Sequence, residues 1–352
     1  MKKIIITSLA MMSLILFSPT GHALADKKDN ARKDLPAVQF DKNNVVLKLA
    51  AISDTHMQWK DAVSSVKLLK ALKQLNERAG GKLDALLISG DLTDYGTPDQ
   101  VVELKRIIDS SKIDLSKTRF VFALGNHEYY NHQLQHAPWN GGYLFRDVFG
   151  DKVYNGASDE EIKAGNYHTV VNGYDFMAVY CAQYDNGVKY AESDIKWLKE
   201  QLAKAAAERP GKPIFVTSHP NVTGTNFGSN EGDFWNGKDL YDVFKDYPQI
   251  IFFCGHLHFP ENDERSIWQG DFTTIGLGST FYCSNHPTDD ENGNTFIDLA
   301  GGYETSDAQK TSQGTYVEVD KNSNVKITRL DFTNDEEIKQ PWLIPAHKAD
   351  KS

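Results

Sequence analysis

Eight polar side chains stand directly after apolar runs in this chain: Asp54 and His56, Asp91, Asn126 and His127, His219, and His256 and His258. Five of the 11 histidines, His56, His127, His219, His256 and His258, occupy these places. Taken singly, a His or Asp after a strand is more often a cap or turn residue than a ligand. Five such ends in one chain are not explained by turns. Imidazole, carboxylate and amide oxygen without thiolate suit Zn, Mn, Fe or a similar divalent ion. In Asp54-x-His56 and His256-x-His258, a spacing of two in extended or turn backbone lets both side chains face one side. The set exceeds one tetrahedral site and matches two metal ions. Two cations about 3.5–4 Å apart need a shared carboxylate, and Asp91 is expected to bridge because its strand is central. Such a pair activates water and clamps the attacking and leaving oxygens of an in-line phosphoryl displacement.

These residues need rigid elements behind them. Val45 to Ser53, Asp84 to Ser89, Arg119 to Leu124, Pro213 to Ser218 and Gln249 to Cys254 read as buried strands, and each leads into one polar group. Helical periodicity covers Ala62 to Leu75, Thr97 to Ser110, Ser193 to Glu208 and Leu240 to Phe244. Tyr167 to Val171 and Asp175 to Cys181 flank Asn172-Gly173, a hairpin signal, and strands are also expected at Thr273 to Gly278, Thr315 to Val319 and Val325 to Phe332. The alternation predicts an α/β fold with sheet buried on both faces. In an open α/β sheet the C-terminal strand tips share one edge, so the polar groups should converge.

The 352 residues suffice for one large domain. Residues 1–25 combine Lys2 and Lys3, an apolar stretch from Ile4 to Phe17 and an Ala23-Leu24-Ala25 cleavage site, the pattern of a secretory signal peptide. The mature protein is expected to be exported, periplasmic or extracellular, with no membrane span, because no second segment approaches about 20 apolar residues. Residues 26–40 form a polar, flexible lead-in, 41–335 the catalytic domain and 336–352 a tail. Over 128–165 and 281–313 the periodic pattern lapses into two insertions. Removing Lys2 and Lys3 from the 38 basic residues leaves 36 against 48 acidic ones, which moves the formal charge from -10 to -12. That balance argues against dedicated nucleic-acid binding. Cys181, Cys254 and Cys283 are an odd count, no disulfide framework; Cys181 and Cys254 read as small buried hydrophobes.

The ordered motifs Asp54-x-His56, Gly90-Asp91, Gly125-Asn126-His127-Glu128, His219 and Gly255-His256-x-His258 resemble those of the calcineurin-like metallophosphoesterases. The resemblance implies a four-layer α-β-β-α sandwich of two mixed sheets and two divalent metal ions. It assigns Asp54, His56, Asp91 and His258 to one ion, and Asp91, Asn126, His219 and His256 to the other. It takes His127 out of the ligand set and makes it the general acid that meets phosphate and protonates the leaving oxygen, a role that suits imidazole. Asn126 would also touch the phosphate, and Glu128 would orient a neighbour. Purple acid phosphatases place a tyrosine ligand three residues after the bridging aspartate. Asp94 stands there in this chain, and Tyr95 comes one later. The chain looks most similar to compact phosphodiesterases, including bacterial cyclic-nucleotide enzymes, acting on a small-molecule phosphoester.

In the first insertion Tyr129, Tyr130, His132 and Trp139 either wall a substrate pocket or form an aromatic mini-core that closes the loop. A phosphomonoesterase using the same site is the alternative activity. No Arg or Lys occurs in the five motifs to grip a terminal phosphate dianion, which favours diesters. A non-catalytic binding module would be expected to lack ligands or the acid, and here both are present.

Overall fold

The computed structural model describes residues 38–58, 62–135, 142–154, 156–181, 188–229, 236–237, 239–283 and 310–347. Residues 1–25, expected to be a signal peptide, and nearly all of the expected lead-in lie outside the described residues.

Three parallel strands begin the fold: β1 (Val45–Ile52), β2 (Ala85–Ser89) and β3 (Arg119–Ala123), connected through α1 (Ala62–Arg78) and α2 (Pro98–Ser110). All five residues of β2 are buried, which is why Ala-Leu-Leu-Ile-Ser shows no polar alternation. Helix α1 buries Leu68, Ala71, Leu72 and Leu75 at helical spacing. Gly80 and Gly81, both at positive φ, then turn the chain back. Helix α2 starts at Pro98, whose fixed φ suits a first turn, and buries Val101, Leu104, Ile107 and Ile108.

The described part of the 128–165 stretch, which lacks visible periodicity, is largely built of short helices: α3 (Asn126–Gln135), α4 (Tyr143–Phe149) and α5 (Asp159–Ala164). Six or seven residues make too few turns for an apolar stripe to show. Helix α5 is instead specified at its ends, by a Ser158/Glu161 capping box and by Gly165 in left-handed conformation. Phe145 of α4 and Tyr154 pack on Phe122 of β3, with ring centroids 4.9 and 5.6 Å away.

The second half supplies β4 (Tyr167–Val171), β5 (Tyr174–Ala178), α6 (Glu192–Glu208), β6 (Ile214–Thr217), the two-residue pair β7 (Asn221–Val222) and β8 (Asn236–Gly237), α7 (Asp239–Phe244) and β9 (Ile250–Cys254). Asn172 and Gly173 both take positive φ between β4 and β5, as a two-residue hairpin turn requires. Then follow β10 (Ile267–Gln269), β11 (Thr273–Gly276), β12 (Gln313–Asp320), β13 (Val325–Asp331), β14 (Glu336–Glu337) and β15 (Trp342–Ile344). The last two both pair with β13, so the chain closes on its own first sheet.

Two mixed sheets result. One has the order β14-β13-β12-β1-β2-β3 with β15 also on β13; the other has the order β10-β11-β9-β6-β5-β4. The fold is the four-layer α-β-β-α sandwich. Successive residues of the second sheet point to different cores: Phe176, Phe215 and Phe253 join the core shared with the first sheet, whereas Met177, Val216 and Phe252 join the one beneath α6 and α7. The inner rings form a ladder, with Phe176–Phe215 at 4.9 Å and Phe215–Phe253 at 6.3 Å. Burial of each such ring contributes about 1.5–3 kcal/mol. Near the tips, Ser89 of β2 and Thr217 of β6 share a 2.7 Å hydroxyl hydrogen bond. The expectation of one shared sheet edge is therefore corrected. β1, β2 and β3 belong to one sheet, β6 and β9 to the other, and the tips meet across the sandwich. A run buried on both faces carries no mark of which sheet it joins.

All three cysteines are buried, and none forms a disulfide among the described residues. No helix among the described residues is long and apolar enough to cross a membrane.

Candidate active site

The five tips are stitched together by their backbones. Asp54 N–H donates to the Gly90 carbonyl (3.2 Å), His56 N–H to that of Asp91 (3.0 Å), and Gly255 N–H to that of His219 (3.0 Å). His127 N–H donates to Asp91 Oδ1 at 3.0 Å, and His256 N–H reaches the Asp54 carboxylate at 3.2 Å. Gly125 and Gly255 are required by close approach: a Cβ at Gly125 would meet the Asp91 carboxylate, and one at Gly255 would meet Ser53 and Asp54. Of the ten non-glycine residues at positive φ among the described residues, Asp54, His56, Asp91, His256 and His258 make up half. Such conformations cost about 1–3 kcal/mol each and concentrate at functional sites.

Among the described residues three side-chain groups result, each with potential ligand atoms within 4.8 Å of one another: Asp54, His56, Asp91 and His258; Asp91, His219 and His256; and His56, Asp94 and His127. Asp91 belongs to the first two. Its Oδ2 lies 3.0 Å from His219 Nε2 and 3.8 Å from Nε2 of both His56 and His127. Asp54 Oδ1 lies 2.9 Å from His258 Nε2, and His56 Nε2 is 3.2 Å from that same nitrogen. His256 Nδ1 approaches His219 Nε2 to 3.1 Å.

This donor set fits divalent cations. His219 Nδ1 is hydrogen-bonded to the Ser89 carbonyl at 2.8 Å, and His258 Nδ1 to the Tyr282 carbonyl at 3.0 Å. A ring nitrogen that faces a carbonyl must carry the hydrogen, which leaves Nε2 of a neutral ring as a lone pair aimed at carboxylate. A lone pair and a carboxylate oxygen at about 3 Å repel unless a proton or a metal cation lies between them. The field has the same sign: burial opposes charge on His219, yet Asp91 and Asp54 outweigh it and push the imidazole up to about 9. Against its own burial, Asp54 is held down to about 2 by His258 and His219. His256 moves the other way, to about 3, through burial and the charge of His219. Asn126 Oδ1 is buried and has no hydrogen-bond partner among the described residues, so it too presents bare lone pairs.

His127 is placed differently. Its side chain is 23% exposed where His219 and Asp54 are fully buried, so it meets the opening of the cluster. Its Nδ1 is held by the Asp94 carbonyl at 2.8 Å. Burial disfavours its charge, but the Asp91 and Asp94 carboxylates prevail and push it up to about 9. Glu128 lies underneath, accepting from Thr93 N–H and hydroxyl (both 2.8 Å) and from Gly125 N–H (2.7 Å). It thereby ties the β2 tip to the β3 tip. Burial and the Asp91 charge push its carboxyl up to about 7.

Tyr130 accepts a hydrogen bond from Asn126 Nδ2 at 3.0 Å and sets its ring 4.5 Å from that of His127. Tyr129 is partly buried. His132 falls in the second half of α3 with its side chain outside the described set, and Trp139 lies outside the described residues. Sequence reasoning missed Asp94, whose Oδ1 is 3.6 Å from both His56 Nδ1 and His127 Nδ1 and whose carboxyl those rings hold down to about 2 against burial. Its signal was available, an acid three residues after Asp91. The Ser89 and Tyr282 carbonyls were also missed, and backbone groups leave no trace in residue type.

Known proteins resemble this chain in sequence and in fold. A "Probable cyclic nucleotide phosphodiesterase" of Rhodococcus erythropolis is 26% identical over 221 residues, covering 60% of this chain and 64% of the relative, so the match spans less than two thirds of that protein. A "3',5'-cyclic-nucleotide phosphodiesterase" of Nostoc is 22% identical over 223 residues, 60% of this chain and 71% of the relative. Among solved structures, the purple acid phosphatase PPD1 from yellow lupin seeds superposes with a TM-score of 0.56 at 14% identity, covering 85% of this chain and 53% of that one, a likeness of fold alone. The family model for calcineurin-like phosphoesterases matches residues 47–260, which include the five strand tips described above. The chain belongs to the calcineurin-like phosphoesterase family.

Proposed function

We propose that this phosphoesterase is a metal-dependent phosphodiesterase. The observation that carries the proposal is the position of Asp91, common to an Asp54/His56/His258 group and a His219/His256 group, beside the more exposed His127. Asp54, His56, Asp91 and His258 would hold one divalent ion; Asp91, Asn126, His219 and His256 would hold the other, with Mn, Fe or Zn the suitable metals. Bound there, the ions supply Lewis-acid stabilisation of phosphoryl charge and activation of the attacking water.

The chain's own residues do the rest. The Ser89 and Tyr282 carbonyls orient His219 and His258, and the Glu128 hydrogen bonds fix the distance between two tips. The Asp94 carbonyl holds His127 Nδ1–H, and the cationic ring that the Asp91 and Asp94 carboxylates favour carries its second proton on Nε2, oriented to protonate a departing alkoxide. The absence of Arg and Lys from the five motifs favours a diester monoanion over a terminal dianion. The names of the two bacterial relatives support cyclic nucleotides as the diester class. The composition of residues 1–25 supports export to the periplasm or medium.

A hydrolysis screen of Mn-loaded protein tests this reading with bis-p-nitrophenyl phosphate, p-nitrophenyl phosphate and cyclic nucleotides. Faster turnover of the diesters is expected. A clear preference for p-nitrophenyl phosphate would assign a phosphomonoesterase instead.

A further inference from the structure

A sixth strand tip meets the cluster. β11 runs parallel to β9 with Gly276 opposite Cys254, and Leu277 N–H continues the ladder to the Cys254 carbonyl at 2.8 Å. Parallel neighbours end at the same edge, so Gly278-Ser279-Thr280 emerges beside Gly255-His256-Leu257-His258. Ser279 is fully buried there. Its hydroxyl donates to the Asp54 carbonyl at 2.9 Å and accepts from Phe281 N–H and Tyr282 N–H, each at 3.0 Å. Those bonds turn the chain so that the Tyr282 carbonyl meets His258 Nδ1 at 3.0 Å. His258 Nε2 in turn lies 2.9 Å from Asp54 Oδ1. One hydroxyl thus closes a circuit through two residues of the same candidate metal group.

A serine that merely caps a turn would accept the local N–H groups and stop. Here the third bond leaves the turn for a ligand-bearing strand, and the loop is braced from other sides as well. Thr280 N–H donates to the Ser53 carbonyl (3.2 Å), Gln313 N–H to that of Ser279 (2.9 Å), and Glu261 Oε1 accepts from Gly278 N–H (3.1 Å). The geometry points to Ser279 as a positioning residue for the metal centre: it fixes the carbonyl that sets the tautomer of His258, and it anchors Asp54 next to that ring. This inference rests on the metal reading proposed above. Partners behind a metal-binding histidine change metal affinity by about 10- to 100-fold when removed.

The test is Mn(II) titration by calorimetry on the full chain and on Ser279→Ala, with far-UV circular dichroism and a thermal melt to show that the variant is folded. A 10- to 100-fold weaker Mn(II) affinity in a cooperatively melting variant is expected. Unchanged affinity would overturn the inference, whatever happens to the melting temperature. Tyr282→Ala separates the ring from the carbonyl: it should keep most of the affinity, and a loss as large as that of Ser279→Ala would assign the effect to ring packing on His258 and overturn the hydroxyl's role. Should Ser279→Ala not melt cooperatively, Ser279→Cys replaces the hydroxyl by a much weaker hydrogen-bonding group of similar shape, and its Mn(II) affinity decides in the same way. If the unaltered chain binds Mn(II) but cleaves no diester, the substrate reading fails while the positioning inference is still judged on affinity. If the unaltered chain binds no Mn(II), both fail together.

Discussion

Tyr130 and Asn126 stand one turn apart on α3, and the tyrosine hydroxyl accepts from Asn126 Nδ2 at 3.0 Å. A side-chain amide has two ends, and this bond commits the nitrogen end to Tyr130 and leaves Oδ1 bare. Tyr130→Phe keeps the ring beside His127 and frees the amide to rotate. We expect weaker binding of one metal ion and kcat lowered by roughly 3- to 10-fold, the scale of one hydrogen bond near 1 kcal/mol. Steady-state kinetics across a metal titration measures it; parent-like metal dependence would contradict this role for the hydroxyl.

His127→Ala should keep both metal ions and lose about 10²- to 10⁴-fold in turnover of substrates with alkoxide leaving groups, as expected for a general acid. With p-nitrophenolate, which leaves without a proton, the loss should be much smaller. Comparison of a cyclic nucleotide with bis-p-nitrophenyl phosphate checks this. Equal losses on both would remove the proton-donor assignment.

Glu128→Ala strands three buried donors, Thr93 N–H, Thr93 hydroxyl and Gly125 N–H. A stability loss on the order of 3 kcal/mol is expected by urea denaturation. A loss under about 0.5 kcal/mol, the size of an ordinary surface substitution, would show that the tips do not depend on it.

Two buried carboxylates far from one another in role give pH dependences of opposite sign. Asp175 bonds His168 at 2.7 Å and Arg209 through both oxygens. Burial works against its charge, but these partners hold its pKa below the ordinary value. Its contribution is therefore full above the unfolded-state value near 3.8 and is lost as pH falls through the lower folded value. The melting temperature of Asp175→Asn should lie below that of the parent at pH 7, and the gap should narrow below pH 4. Glu261 is pushed up to about 8 by burial. The folded chain then holds a proton that the unfolded chain releases, so stability falls as pH rises from about 4.5 to about 8. Glu261→Gln should gain on the parent across that window. Thermal melts from pH 3 to 8 read both slopes, and parallel curves for parent and variants would contradict them.

The strand cores were legible because a segment buried on both faces is a short, uninterrupted apolar run, as in Ala85–Ser89 and Ile250–Cys254. Their polar ends were legible for the same reason, since a His or Asp stands out where such a run stops. The pairing of tips across two sheets was not, because face preference is invisible when both faces are apolar. Helices α4 and α5 were hidden by shortness, although Ser158, Glu161 and Gly165 mark the ends of α5. Least legible were the groups that orient the histidines: the Ser89 and Tyr282 carbonyls belong to any residue type, and only the fold brings them to His219 and His258.

A centre in which two metal ions share Asp91 has a metal stoichiometry that can be counted. Metal analysis of Mn-loaded protein after desalting, for the parent and for Asp91→Asn in a folded state, should give two ions per chain for the parent and losses at both positions in the variant. One ion per chain in the parent, or a variant that loses a single ion and retains the other at full affinity, would rule out a carboxylate shared by two ions.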